Sequence, residues 1–381
     1  MIIGIDVSSI PYGTGVSNYT LNLVRNLVKL DKTNTYKLFF SSLRLPLPSE
    51  IKLLGKYPHV KIYHFRLPLT FLHWLWNRLH IIPIEFFIGK CDVFHSSDWT
   101  EPPTIHVKTV TTIHDLVPFL YPKWSSPKII HTHLLKMSQA LKHCFHFICV
   151  SQNTKSDFEK LFPAIPDQKI SVIYEAAEDK YEKFRRLPLS VRQSKINHIK
   201  KIYDLDKYIL AQGTREPRKN LTRLIEGFLL FKQKNPTSKY LLAIAGKYGW
   251  GKDVPPQNHS VKILGFIPEK DMVTLNAAAV CLAYPSLYEG FGLPLVKALK
   301  LGLPIITSNC SSMPEIVGNS AILVDPNNSK EIAGAIEKIY KSSSFRQALS
   351  QKELLQAKKF SWVITAEQTL KVYENTYAHR N

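Results

Sequence analysis

The feature that most constrains this chain is an alternation of short apolar runs with helical patterns that starts twice. In the first half, Ile2–Val7, Tyr36–Phe40, Val60–Phe65, Val93–His95, Lys108–Ile113, Phe145–Val150 and Ile170–Ile173 read as strands. A helix at Tyr19–Leu30 carries apolar Leu23, Val24, Leu27 and Val28 on one face, and a second helix is expected over 153–161. The pattern restarts with strands at 208–211, 240–246, 261–264, 280–283, 304–306 and 321–324, with helices at 220–233, 269–277, 294–301 and 329–341. Parallel strands need crossover connections, usually helices, so the alternation predicts parallel sheets with helices on both faces. The polar, basic stretch Glu182–Lys201, which contains Pro188, reads as the connection between two doubly wound, Rossmann-like domains. The expected division is a first domain over 1–185, a linker over 186–206, a second domain over 207–360 and a terminal segment over 361–381.

In such sheets ligands sit at the carboxyl ends of the strands, and two strand ends in the second half carry anion-binding chemistry. The run Val280–Ala283 stops at Tyr284-Pro285-Ser286 and is followed by Glu289-Gly290-Phe291-Gly292-Leu293-Pro294 and a helical stretch. Glycine lets the backbone approach a ligand, and a helix start offers N–H groups and positive dipole to an anion. An acid at the same turn can accept from sugar hydroxyls, so the constellation suits a phosphorylated sugar. The second stretch, Gln212-Gly213-Thr214-Arg215-Glu216-Pro217-Arg218-Lys219-Asn220, sits between a strand and a helix. It places Arg218 and Lys219 at a helix start, where the macrodipole disfavours cations unless an anion is held there. Each has a plainer reading as a surface turn, and their joint occurrence favours the phosphate reading.

Fifty Lys and Arg against thirty Asp and Glu give a net charge of +20, which points to anionic partners. The basic residues are dispersed, so a nucleic-acid-binding arm is not expected. Five cysteines without Cys-x-x-Cys or zinc spacing read as reduced thiols in a cytoplasmic protein, and Met1 leads directly into a strand, so no signal peptide is expected. Phe71–Ile88 is the most apolar stretch, but His73, Arg78, His80, Pro83 and Glu85 exclude a membrane span. Two readings stay open for it: a helix packed inside the first domain, or one lying on the inner face of an anionic membrane through Trp74 and Trp76. Asp204-Leu205-Asp206 precedes a strand and reads as a surface turn rather than a metal site.

In order along the chain, Gly13-Thr14-Gly15-Val16-Ser17-Asn18-Tyr19, Thr112-Ile113-His114-Asp115-Leu116, Val150-Ser151-Gln152-Asn153-Thr154-Lys155, Glu216-Pro217-Arg218-Lys219-Asn220 and Glu289-Gly290-Phe291-Gly292 carry a family likeness. Pro314-Glu315-Ile316-Val317-Gly318, Val324-Asp325-Pro326 and Phe360-Ser361-Trp362 extend it nearly end to end. The chain resembles family 4 glycosyltransferases, which are retaining enzymes of the GT-B fold that use nucleotide diphosphate sugars. The resemblance implies two facing Rossmann-like domains with residues 361–381 forming a helix that returns to the first. It implies acceptor binding by the first domain and donor binding by the second, with Arg218 and Lys219 clamping the diphosphate. Glu289 and the Gly290-Phe291-Gly292 backbone would meet the transferred sugar, Gly13 and Gly15 would approach the donor phosphates, and His114 would bind a sugar hydroxyl beside the reaction centre. It implies no metal or other cofactor. The overall pattern leans toward transfer of a hexose, mannose favoured, to a glycan or lipid-linked glycan in surface polysaccharide or lipopolysaccharide synthesis. A weakened GT-B scaffold that binds sugar nucleotide or a partner enzyme is the alternative.

Two departures bear on the site. Relatives usually carry a second glutamate eight positions after the first, to hold the nucleotide ribose; here Lys297 stands there and must bind otherwise, to phosphate, or point away. An ammonium donates where a carboxylate accepts. In Tyr174-Glu175-Ala176-Ala177-Glu178, many relatives have an Asn-Gly pair, and only a local change in the interdomain turn is expected.

Overall fold

The computed structural model describes residues 1–250 and 259–379, and the chain divides into two compact units. The first unit comprises Met1–Glu175 together with the chain from Ser361 onward, and the second comprises Ala176–Phe360.

The sheet of the first unit contains β1 (Ile2–Asp6), β2 (Thr35–Ser41), β3 (Val60–Phe65), β4 (Val93–Ser96), β5 (Lys108–Ile113), β6 (His146–Cys149) and β7 (Ile170–Val172). Their order is β3-β2-β1-β4-β5-β6-β7, with every pairing parallel. The strand order reverses between β1 and β4, where Ile3 pairs with Val93. Helices cover both faces: Phe39, Leu72, Trp76, Ile88 and Phe94 form one core cluster, and Ile113, Leu116, Met137, Phe147 and Phe158 another. The helix Gly15–Leu30 begins on a capping box in which the Thr14 and Ser17 side chains each accept from the other's backbone N–H. The final helix, Trp362–Ala378, packs along this helix in the first unit.

The stretch Phe71–Ile88 is not one helix. It breaks into Leu69–Leu72, a π-type segment His73–Arg78 and Glu85–Ile88. His80 and Ile82 take positive φ between them, a conformation that ends regular helix. Leu72, Leu75, Trp76, Ile84 and Ile88 face the core, while Phe71, Trp74, Leu79, Ile81, Ile82 and Phe86 are exposed. No helix among the described residues is long and apolar enough to cross a membrane.

The second unit contains β8 (Tyr208–Gln212), β9 (Leu241–Ala245), β10 (Val261–Gly265), β11 (Cys281–Tyr284), β12 (Ile305–Ser308) and β13 (Ile322–Val324). Their order is β10-β9-β8-β11-β12-β13, again all parallel. The reversal falls between β8 and β11. On one face, helices Leu221–Lys234 and Ser329–Lys341 bury Leu224, Phe228, Phe231, Ile332 and Ile336 against the sheet.

The expected linker at 186–206 is corrected by the structure: Leu189–Ile202 is a helix of the second unit, preceded by a helix at Asp179–Arg185. The division falls after Glu175 rather than after 185. Pro188 misleads because it stands at the N-cap, where a missing N–H costs nothing, and not inside a helix. Lys195 and Lys201 are exposed while Ile199 is buried.

Candidate functional site

In the second unit the segments after β8 and β11 lie side by side at the reversal of strand order, the position where open α/β sheets bind ligands. The segment after β8 leaves through Gly213, whose N–H donates to Ala245 O at 3.0 Å. It passes so close to β9 that a Cβ on Gly246 would stand 1.8 Å from Gly213 O. It then makes a single helical turn, Pro217–Lys219, and enters the next helix through Asn220 in the left-handed region at φ 57°. The Asn220 amide donates to Pro285 O at 3.0 Å and Pro326 O at 2.7 Å, and Leu287 N–H donates to Arg218 O at 2.8 Å. These bonds tie the basic turn to the acidic one.

The result is one ionic cluster. Arg218 Nη1 lies 2.5 Å from Glu289 Oε2, and Lys219 Nζ lies 2.6 Å from Glu289 Oε1. The other Arg218 nitrogen, Nη2, lies 2.7 Å from Glu216 Oε1. The Tyr284 hydroxyl donates to Glu289 Oε1 at 2.7 Å and accepts from Lys219 Nζ at 2.6 Å. Burial alone would raise the Glu289 carboxyl, but Arg218 and Lys219 outweigh it and hold the group at about 2. Burial, helped by the neighbouring Arg218, pulls Lys219 below its usual range, against the opposing carboxylates. Burial beside Glu289 pushes the Tyr284 phenol well up, so it remains a donor.

The backbone around Glu289 is equally fixed. Glu289 N–H donates to Ser311 Oγ at 3.1 Å, while Ser311 and Ser312 hydroxyls donate to Glu289 O at 2.8 and 2.9 Å. Ser312 Oγ also reaches Phe291 O at 2.9 Å. Phe291 buries its ring edge-on to Phe360 at 5.9 Å. Gly292 adopts φ 98°, a conformation costly for any other residue, and opens the helix Leu293–Leu301. Gly290, Phe291 and Gly292 therefore form a rigid corner over the start of that helix.

Lys297, on the same helix, turns to the second departure in the sequence. Its Nζ lies 4.0 Å from Glu178 Oε2 and 5.5 Å from the centre of the Tyr181 ring. The two unusual positions thus compensate each other: Lys297, then Lys180, draw the Glu178 carboxyl below its ordinary range against its burial. Lys297→Glu is expected to lower the unfolding midpoint, because it sets two carboxylates together where a partly buried pair stood. The cost is about 1 kcal/mol or more, and Glu178→Gln in the same chain should recover it. Thermal unfolding of the two variants checks this.

In the first unit His114 follows β5, one strand from the reversal at β1 and β4. Its Nδ1 lies 3.1 Å from Glu175 Oε1, and its ring stands edge-on to Tyr19 at 4.6 Å between centres. Tyr19 OH bonds Thr112 Oγ1 at 3.1 Å, and His95 joins Thr112 at 2.9 Å to Tyr373 OH at 2.6 Å. The terminal helix braces this region at three points. Tyr373 meets His95, Trp362 stands 5.8 Å from Tyr19, and Thr365 Oγ1 donates to Tyr174 O at 2.7 Å. Gly13 takes φ 64° before the helix Gly15–Leu30, and a Cβ at either Gly13 or Gly15 would meet only open space. The turn is thus an uncrowded helix start.

The structure joins Arg218, Lys219 and Glu289 in a single network and places Gly290–Gly292 beside it. His114, Gly13 and Gly15 lie in the other unit, and Lys297 is paired with Glu178. Sequence reasoning missed Glu216 and Tyr284 as members of the cluster, although both stand inside the segments it singled out. It also missed Glu175: the Tyr174–Glu178 stretch, expected to change only a local turn, instead delivers carboxylates to both His114 and Lys297. No spacing along the chain announces those pairings.

Comparisons with known proteins bear on the family and the fold. Residues 13–179 match the family described as Glycosyltransferase Family 4, and residues 193–354 match the one described as Glycosyl transferases group 1. Among curated proteins, the O-antigen chain mannosyltransferase B of Escherichia coli is 28% identical over 375 residues, covering 95% of this chain and 96% of its own. The O-antigen chain mannosyltransferase RfbU of Salmonella typhimurium is 29% identical over 272 residues, covering 69% of this chain and 68% of its own. Among solved structures, WaaG, a glycosyltransferase involved in lipopolysaccharide biosynthesis, superimposes with a TM-score of 0.70 at 14% identity, covering 98% of this chain and 99% of that one. At that identity the likeness is one of fold.

Proposed function

Because the chain belongs to the family 4, group 1 glycosyltransferases, we propose that it is a retaining mannosyltransferase of O-antigen or related surface polysaccharide synthesis. It takes mannose from a nucleotide diphosphate sugar to a hydroxyl of a glycan or lipid-linked glycan. The observation that carries this reading is the cluster of Arg218, Lys219 and Glu289 at the strand reversal of the second unit. Arg218 and Lys219 bind the donor diphosphate and stabilise the charge that grows on it as the glycosidic bond breaks. Their two fixed positive charges do the work a divalent ion would do, so turnover needs no metal. Glu289, kept ionised by the same cations, accepts from hydroxyls of the transferred sugar. The Gly290–Gly292 corner lets the sugar approach the backbone. The leaving phosphate helps deprotonate the acceptor hydroxyl on the same face, so the anomeric configuration is retained. His114 binds a sugar hydroxyl beside the reaction centre, and the open turn at Gly13 and Gly15 favours phosphate.

The mannosyl assignment rests on the two O-antigen mannosyltransferases. The alternative, a catalytically weakened scaffold, is less favoured: the relatives that match most of the chain are mannosyltransferases, and Lys297 turns to Glu178, apart from the network of Arg218, Lys219 and Glu289. The direct test incubates the protein with GDP-mannose and a mannose-terminated lipid-linked oligosaccharide in the presence of EDTA. The expected product carries an α-linked mannose by its anomeric proton signal. A β-linked product, or transfer abolished by EDTA and restored by a divalent ion, contradicts the mechanism.

We further propose that the acceptor is met at an anionic membrane through the exposed Phe71, Trp74, Leu79 and Phe86, with Arg78 alongside. Cosedimentation with vesicles containing phosphatidylglycerol should weaken with salt and in Trp74→Ala/Phe86→Ala. Equal binding to neutral vesicles, or binding unchanged in that variant, contradicts this.

A further inference from the structure

Sequence alone would leave Glu175 as a substitution in a connecting turn, yet it is 4% exposed and its carboxylate lies 3.1 Å from His114 Nδ1. We propose that Glu175 is the positioning residue for His114: it fixes the ring orientation and holds the proton on Nδ1, so that Nε2 is the atom presented to substrate. This rests on the transferase reading for its purpose, but the Glu175–His114 relation can be measured without turnover.

Three observations carry it. An ionised carboxylate only accepts, so the hydrogen bond at Nδ1 requires that nitrogen to be the donor. Among the described residues Nε2 has no hydrogen-bond partner, and His114 lines a small cavity with Asp6, Val16, Ser97 and Asp98. Both walls of the pair are clamped: the Tyr19 ring stands edge-on to His114, and Thr365 of the terminal helix holds the carbonyl of Tyr174, the residue before Glu175. A ring held this way has one usable nitrogen. Neutral, its Nε2 accepts from a hydroxyl; protonated, it donates to a hydroxyl oxygen or a phosphate.

The surroundings decide the balance between these forms. Burial pulls the His114 imidazole down, but the Glu175 hydrogen bond and charge, followed by Asp98 and Asp115, raise it above its ordinary value. The other titratable groups around it are Asp6 on β1, whose carboxyl burial raises against hydrogen bonds from Ser8, Ser97 and Thr100, Tyr19 on the helix Gly15–Leu30, which burial keeps neutral, and His95 on β4. Burial holds His95 at about 3, so it stays uncharged. Glu175 is therefore the lever that sets the charge on His114.

The experiment is nitrogen-15 and carbon-13 NMR of histidine-labelled full-length protein, with the His114 signal identified by its loss in His114→Asn. In the wild type, neutral His114 should show the tautomer with the proton on Nδ1. In Glu175→Gln, His114 should titrate at lower pH, and the tautomer preference should weaken. In the transfer assay, Glu175→Gln should lose up to roughly 100-fold in kcat, as expected for a displaced reacting group. Donor KM should be unchanged and the pH profile displaced in the direction of the titration. Glu175→Asp should recover part of the rate. An unchanged titration and tautomer in a folded Glu175→Gln overturn the proposal. A shifted titration with unchanged kcat and pH profile also overturns it. If the wild type transfers no sugar, the transferase reading falls while the NMR still decides whether Glu175 governs His114.

Discussion

Glu289→Gln is expected to cut kcat/KM for transfer by roughly 100- to 1,000-fold, or about 3–4 kcal/mol of transition-state stabilisation. It is also expected to weaken the second unit. The carboxylate accepts from Arg218, Lys219 and Tyr284 at 2.5 to 2.7 Å. An amide keeps the shape but leaves two buried cations with half their compensation. Breaking a buried ion pair by removing one partner costs about 3–5 kcal/mol, or very roughly 10 °C in unfolding midpoint for a unit of this size. The sign with pH follows from the depressed carboxyl. Folding stabilised by a Glu289 that titrates at about 2, rather than at its ordinary 4.5, is fully supported above 4.5 and loses that support as pH falls toward 2. Unfolding curves across that range should therefore be shallower with pH in Glu289→Gln than in the wild type. Equal slopes would show that the cluster does not hold the carboxylate ionised.

Arg218→Ala is expected to weaken binding of a nucleoside diphosphate by about 100-fold, the worth of charge-assisted hydrogen bonds totalling about 3 kcal/mol. The guanidinium bridges Glu216, at 2.7 Å, and Glu289, at 2.5 Å. Its planar fork can hold a carboxylate and still face a phosphate, which the point charge of lysine cannot do with the same geometry. Arg218→Lys should therefore restore little of the affinity. Titration calorimetry with GDP and with UDP measures both, and an Arg218→Lys protein that binds like the wild type contradicts the assigned geometry.

The sequence made the sheets legible because strands buried on both faces must be apolar runs, and crossover helices must separate them. It made Arg218 and Lys219 legible as candidates because cations at a helix start go against the macrodipole, and Glu289 because an acid stands in a glycine turn at a strand end. It did not reveal that the three form one network, since that depends on β8 and β11 being neighbours despite the distance between them in the chain. The helix Leu189–Ile202 was hidden by its polar outer face and by Pro188. The partnerships of Glu175 with His114 and of Glu178 with Lys297 were hidden for a third reason. Each joins residues 61 or more positions apart through side chains alone, and nothing periodic or compositional encodes such a contact.

The central claim is that the second unit binds a nucleotide diphosphate sugar at Arg218, Lys219 and Glu289. Its most direct test is thermal unfolding of the wild type and Arg218→Ala with GDP-mannose, UDP-glucose, UDP-GlcNAc, GDP and UDP. A ligand at 100 times its Kd stabilises the native state by about 2.7 kcal/mol. A raised midpoint is expected in the wild type with at least one of the nucleotide sugars and with its nucleoside diphosphate, largely lost in Arg218→Ala. No shift with any nucleotide, or a shift undiminished in Arg218→Ala, would contradict it.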